Sequence, residues 1–522
     1  MNIAPAAIDC RLTGERPERA GKVLVVSFAL FLVAALPVLL VKIPPFEDYP
    51  NHLARIFVIA QDGNDPVLSK FYSIDWKIIP NLAMDLAVPP LARITGVFWA
   101  GKIFILAILA LMMSGVQAVH FALFRRLSMG PAVAVLFFYN YNLSLGLVNY
   151  LFGVGLALWG FAAWIALRRS SPALRLSISL GFVVALFICH LAAVGLYGLA
   201  IFSFEVWRLL RSARSTGAEE GLFSEIGVLV LPFLAVPALL AAGPTGKFAS
   251  AGGHWVVSSK GRGLWYILKT FYYAHDIAFG VLIAVCIIWA WRHRLFRLHP
   301  AGWIVLACAV PLYLALPASV MSATHVDDRL PIGFLFILLS LIVWEFSESR
   351  RQRAFVIAVA MLGIWRIAGV GIAFARMNDT VAQLEQSELL IPPGSKILVA
   401  TGRTNSAYFG MQELFAEAII LRSSLVSVVF AHKAQQVLVV KAPYDSIARL
   451  DEVVDLTVAE LIEPSLRTAE APHSRIYWSN WAVDYDYLYV AGGAAEPNPA
   501  PDRLSLLYRT GDFQLYKVNH SS

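Results

Sequence analysis

Charge is what this chain has least of. Only 15% of its 522 residues are Asp, Glu, Lys or Arg, against about 25% in soluble chains, while 58% are hydrophobic. That deficit excludes a soluble enzyme. Cysteine is scarce too: Cys10, Cys189, Cys286 and Cys308 form neither a CxxC pair nor a set with zinc-ligand spacing, so no disulfide framework or structural metal follows. HExxH and HxxxH patterns are absent, and no segment recurs at a solenoid period. The net charge of +7 is spread through loops between apolar runs, so it reads as membrane topology and excludes nucleic acid as a partner.

What the chain has instead is long apolar runs, at roughly 23–41, 99–122, 131–147, 150–167, 176–190, 191–207, 226–243, 276–291, 301–320, 330–346 and 354–375. They predict an all-α membrane bundle of about eleven crossings. The first run follows Arg11, Arg16, Arg19 and Lys22 and lacks a small-x-small cleavage site, so it reads as a retained signal anchor. Two regions, 131–167 and 176–207, are short for two full passes, so each is either a tight hairpin or one long helix.

Loop charge chooses between these. The clusters Arg125-Arg126, Arg168-Arg169-Arg175, Arg208-Arg211-Arg214, Arg292-Arg294-Arg297 and Arg350-Arg351-Arg353 fall on one side only if both compressed regions are hairpins. The N-terminus is then cytoplasmic in an inner (plasma) membrane. Residues 1–376 form the polytopic domain, with outward loops at 42–98, 244–275 and 321–329. Residues 377–522, with 17 acidic against 11 basic side chains and no spanning run, form a soluble periplasmic domain. Strand signals at Lys396–Ala400, Tyr485–Val490, Leu504–Tyr508 and Phe513–Val518, the last two flanking Thr510-Gly511-Asp512, predict a small α/β layer there.

The stretch Pro44-Pro45-Phe46-Glu47-Asp48-Tyr49-Pro50-Asn51-His52-Leu53-Ala54-Arg55 follows the first span directly. Adjacent carboxylates beside a hydrocarbon boundary are costly unless paired or used, and the flanking prolines stiffen them at a fixed height. Either they are a solvated pair with Arg55 as salt-bridge partner, or they are reactive groups.

An acidic pair in the first outward loop, many spans and an outward C-terminal domain resemble the GT-C superfamily of integral-membrane glycosyltransferases. Locally, Asp48–Arg55, Gly146–Gly153, His190-Leu191-Ala192 and Asp328-Arg329-Leu330-Pro331 are similar to segments of bacterial GT-C-like proteins. The resemblance implies transfer of a sugar from a polyprenyl-phosphate carrier to an outward glycan, lipid or protein acceptor, with inversion. Asp48 matches the acidic residue that acts as base, and Glu47 could orient the acceptor or hold a divalent cation. The acids that family members carry between spans three and four are replaced here by Asn140, Asn142 and Asn149.

A departing lipid phosphate needs fixed positive charge. Arg329 is the first candidate, either as phosphate ligand or as an interfacial arginine paired with Asp328; Lys260 and Arg262, in a Gly-rich loop that is a lid or a connector, come next. His52, one helical turn after Asp48, could pair with it. His190, between two compressed spans, and Asn149-Tyr150, at a hairpin tip, could line the substrate groove or satisfy freed backbone. Beside the glycosyltransferase stand two other readings. A transporter for a lipid-linked saccharide would show matched broken helices and an internal repeat. A non-catalytic assembly protein would keep the fold alone.

Overall fold

The computed structural model describes residues 19–213, 222–245, 253–320, 324–345, 349–403, 406, 408–432, 434–450, 455–466, 476–493 and 496–520. Cys10, Arg11, Arg16, Arg214, part of the Gly-rich loop and part of the 321–329 loop lie outside them. The chain divides into two compact units: one holds residues 1–36, 106–143 and 148–371, the other 37–105, 144–147 and 372–522.

Among the described residues, eight helices are long and apolar enough to cross a membrane, and two shorter apolar helices, Pro300–Ala315 and Leu330–Ser340, accompany them. Eleven expected runs thus yield eight helices of spanning length: the runs at 301–320 and 330–346 form the two shorter helices, and the third difference lies at 131–147. That run forms a 3-10 helix at Gly130–Phe137 and a four-residue helix at Tyr141–Ser144. Most residues from Gly130 to Leu143 are buried, as irregular backbone at membrane depth must be.

In the first unit the second compressed region is a true hairpin. Pro172–Cys189 and Leu191–Ala213 are separate helices broken at His190, whose extended backbone (φ −174°, ψ 137°) stops the first. Ser171 caps the Pro172 helix by accepting from the Leu174 amide. At the other end, Arg168, Arg175 and Arg208 converge on Glu205 and Glu225. Arginines from three helix ends therefore share one side, as the loop charges require. Small residues let these helices approach: a Cβ on Gly153 would lie 2.6 Å from that of Ala193.

The second unit gathers the first loop and the C-terminal residues. Tyr49–Gln61 packs on Ala83–Thr95 and on Glu417–Arg422. Tyr72–Ile74 pairs antiparallel with Leu438–Val440. A five-stranded mixed sheet runs in the order Leu425–Val426, Lys396–Thr401, Tyr487–Ala491, Phe513–Val518, Leu504–Arg509. The first three strands are parallel, the last three antiparallel. Every residue of Tyr487–Ala491 is buried, which fits its central place. The expected α/β layer and its terminal hairpin are both present, each strand within two residues of its predicted ends.

Candidate functional site

Between Ile43 and Ile56, every residue is buried except Glu47 and Asp48, which are half-exposed. Asp48 is the N-cap of the Tyr49–Gln61 helix, with Pro50 in the first turn, yet its side chain does not cap the helix amides. The carboxylate thus stands at the positive end of the helix with its capping function unused. Backbone holds the pair in place. Glu47 N–H donates to Ser144 O (2.8 Å) and Asp48 N–H to Leu145 O (3.2 Å).

Two glycines close on this turn. Gly146 has φ +84°, and a Cβ there would lie 2.9 Å from Asp48 Cβ; Gly410 has φ +68°, and its Cβ would lie 2.8 Å from Glu47 Cα. Both conditions exclude a side chain, so the glycine in the Gly146–Gly153 motif has a steric cause.

His52 and Arg55 are buried, unlike the half-exposed pair. Arg55 forms a two-point ion pair with Asp85, Nε to Oδ1 at 2.6 Å and Nη2 to Oδ2 at 3.1 Å, so it is no counter-ion to Glu47 or Asp48. His52 Nδ1 lies 3.0 Å from Arg55 Nη2, and the ring also hydrogen-bonds the Gly146 backbone. Burial, aided by the Arg55 charge, holds its pKa well below the usual 6.5, so the ring is neutral. Asn51 donates to Glu413 and to Val428 O (3.1 Å) and accepts from Phe430 N–H (3.0 Å). Arg449 in turn bridges Glu413 and Asp455. Sequence reasoning missed the roles of Asn51 and Asp85, which lie in the first loop itself, because their partners are not adjacent in sequence, and it missed Glu413 and Arg449 because no spacing links them to that loop.

Nearby in the same unit, Lys42 binds Glu385 and Glu417 (3.1 Å), with buried Glu388 close to them. Burial pushes the Glu417 carboxyl up to about 7, against the Lys42 charge that opposes it. The native state therefore keeps a proton that the unfolded chain releases near the ordinary 4.5. This raised pKa favours the fold below about pH 4.5, and the benefit is lost as pH rises through about 7. Thermal unfolding between about pH 5 and pH 8 should show a falling midpoint, and Glu417→Gln should flatten that fall.

In the first unit the predicted cations meet predicted polar partners. Tyr150 donates to Arg329 O (2.6 Å), and its ring stands edge-on to His190 at 5.5 Å. Arg329 Nη1 lies 3.1 Å from His190 Nε2, while Nδ1 of the same ring lies 3.0 Å from the Ala192 amide. A neutral imidazole has one lone pair and one N–H, so it cannot serve both donors. Arg329 also donates to Thr324 O (3.1 Å). Its expected partner Asp328 instead takes Arg262 (3.1 Å) and His325 (2.9 Å). Asn142 donates to the Asp328 carbonyl (3.4 Å).

Lys260 and Arg262 lie on a helix, Val257–Trp265, so this part of the Gly-rich loop is ordered structure and not a plain connector. Lys260 is buried against Asp327 (2.7 Å) and the Leu316 carbonyl, which commits its charge internally. Arg262 keeps 42% of its side chain exposed. Asn149 is buried at the start of Val148–Ala166. Among the described residues, no group of three or more His, Cys, Asp or Glu side chains is placed to hold a metal ion.

No protein-family model matches the chain, and no curated protein does. Two solved structures are similar to it, both of ArnT from Cupriavidus metallidurans. The structure bound to undecaprenyl phosphate is 12% identical, with a TM-score of 0.44 over 95% of this chain and 98% of that one. The apo structure is 11% identical, with a TM-score of 0.47 over the same shares.

Proposed function

We propose that this chain is an integral-membrane glycosyltransferase of the plasma membrane, moving a sugar from a polyprenyl-phosphate carrier to an acceptor on the outer side. One observation carries the reading: in a wholly buried stretch after the first span, only Glu47 and Asp48 reach solvent, and backbone bonds fix their height. A solvated loop needs no such clamp. The resemblance of four separate segments to GT-C-like proteins supports the same assignment.

In the proposed reaction, Asp48 takes the proton of an acceptor hydroxyl as its oxygen attacks the anomeric carbon. The bond from that carbon to the lipid phosphate breaks, the configuration inverts, and the phosphate leaves on its prenyl carrier with the bonding electron pair. Glu47 orients the acceptor. Arg329 and His190 receive the phosphate. An oxyanion resolves the conflict at His190, because the ring can keep its lone pair for Ala192 and turn Nε2–H to the oxyanion beside Arg329. Arg262 is the second cation for the donor. The same reading places the N-terminus in the cytoplasm and residues 377–522 outside, with residues 1–376 as the polytopic domain.

The test is transfer of labelled sugar from a panel of polyprenyl-phosphate sugars into endogenous acceptors, in membranes containing the wild type or Arg329→Ala. Losing a charge-assisted hydrogen bond of about 1.5–3 kcal/mol should raise the donor KM roughly ten- to a hundredfold. No wild-type transfer from any donor in the panel would sink the reading and leave transport or glycan binding in its place.

A further inference from the structure

Asp85 lies thirty positions beyond Arg55 in sequence and has no place in the reaction above. It is buried, and it begins a chain of polar contacts that ends under the acidic pair. We infer that Asp85, Arg55 and His52 form a positioning relay that fixes the Gly146 carbonyl, and through it the Asp48 carboxylate. This rests on the reading of Asp48 as the base.

The hydrogen bonds have only one consistent direction. Arg55 has donors and no acceptor, so His52 Nδ1 must accept from Nη2. The ring proton is then on Nε2, the nitrogen left to donate to the Gly146 carbonyl. Asp85 holds both Nε and Nη2 of Arg55, which fixes the plane of the guanidinium and hence the direction of its bond to His52. At the far end, the Ser144 and Leu145 carbonyls accept the Glu47 and Asp48 amides, and Gly146 lies against Asp48 without room for a side chain. Each hydrogen bond in the chain therefore has a fixed donor and a fixed acceptor.

Packing alone does not explain this set. Apolar side chains of similar volume would fill the space, and a buried ion pair is on balance no more stabilising than they are. Nor is His52 a reacting group by its geometry: it is 6% exposed, and both ring nitrogens are engaged.

The experiment compares His52→Gln with His52→Leu in the full-length protein in lipid nanodiscs. Gln retains an acceptor for Arg55 and an N–H for the Gly146 carbonyl; Leu retains bulk and loses both. Hydrogen exchange at the Glu47 and Asp48 amides should be about tenfold faster in the Leu variant and within about threefold of wild type in the Gln variant. With a polyprenyl-phosphate sugar as donor, kcat should fall in the Leu variant with KM unchanged, and Gln should recover most of the loss. Arg55→Lys gives a second comparison if the Leu variant does not accumulate, because one ammonium cannot hold Asp85 and His52 in the guanidinium's fixed geometry. Its Glu47 and Asp48 amides should also exchange faster than in wild type. Exchange that is the same in all variants overturns the relay. So does equal loss of kcat in Gln and Leu, which would make the ring a reacting group. If the wild type transfers no sugar, that failure belongs to the assigned reaction, and the exchange data decide the relay alone.

Discussion

Asp48→Asn should cut sugar transfer by about a thousandfold, the middle to upper range of what a positioned general base contributes. The substitution changes charge and leaves shape almost untouched. Asp48 is half-exposed and does not cap its helix through the side chain, so no cap bond is removed. The backbone bond from Asp48 to Leu145 O is available to any residue there. Loss of a carboxylate at the helix N-terminus costs only about 0.3–1 kcal/mol, too little to mimic a catalytic defect by unfolding. The measurement is an initial rate at saturating donor and equal protein abundance, with the unfolding midpoint recorded beside it. A rate within about tenfold of wild type would remove Asp48 as base.

The acidic pair was legible in the sequence because its signal is local: two carboxylates between prolines just after a span. The broken helix at His190 was legible through loop charge, and the meeting of Arg168, Arg175 and Arg208 at one end shows why that logic works. At 131–147 the sequence predicts a helical pass where the structure has a 3-10 helix and a four-residue helix, because hydropathy registers apolar composition and not which backbone conformation the run adopts. Partners were misassigned where charges compete. Arg55 had Glu47 and Asp48 within eight residues, yet it pairs with Asp85 on another helix, because a guanidinium carried into the interior needs a carboxylate buried with it, and Glu47 and Asp48 are half-exposed. Likewise Asp328 goes to Arg262 and His325 instead of to the adjacent Arg329. Such choices depend on which side chains face each other across the fold, and spacing along the chain carries no record of that.

The Arg55–Asp85 pair allows stability and activity to be separated. Both side chains are almost wholly buried, at 1% and 2% exposure. Asp85→Leu alone leaves the Arg55 guanidinium charged and without its carboxylate in a site closed to water, a loss of about 3–5 kcal/mol. A protein with the usual margin of about 5–15 kcal/mol would then accumulate poorly and unfold at markedly lower temperature. Adding Arg55→Met removes the stranded charge, and an apolar pair of similar volume is neutral or even stabilising by comparison, so the double variant should regain most of the wild-type midpoint. Its kcat should stay low, because His52 Nδ1 has lost its only donor and nothing then sets which way the ring presents N–H to the Gly146 carbonyl. Unfolding curves and transfer rates on wild type, both single variants and the double variant make the cycle. Recovery of stability together with full recovery of kcat would show the pair to be structural only; recovery of stability without kcat would separate the positioning of the carboxylate from the folding of the unit that carries it.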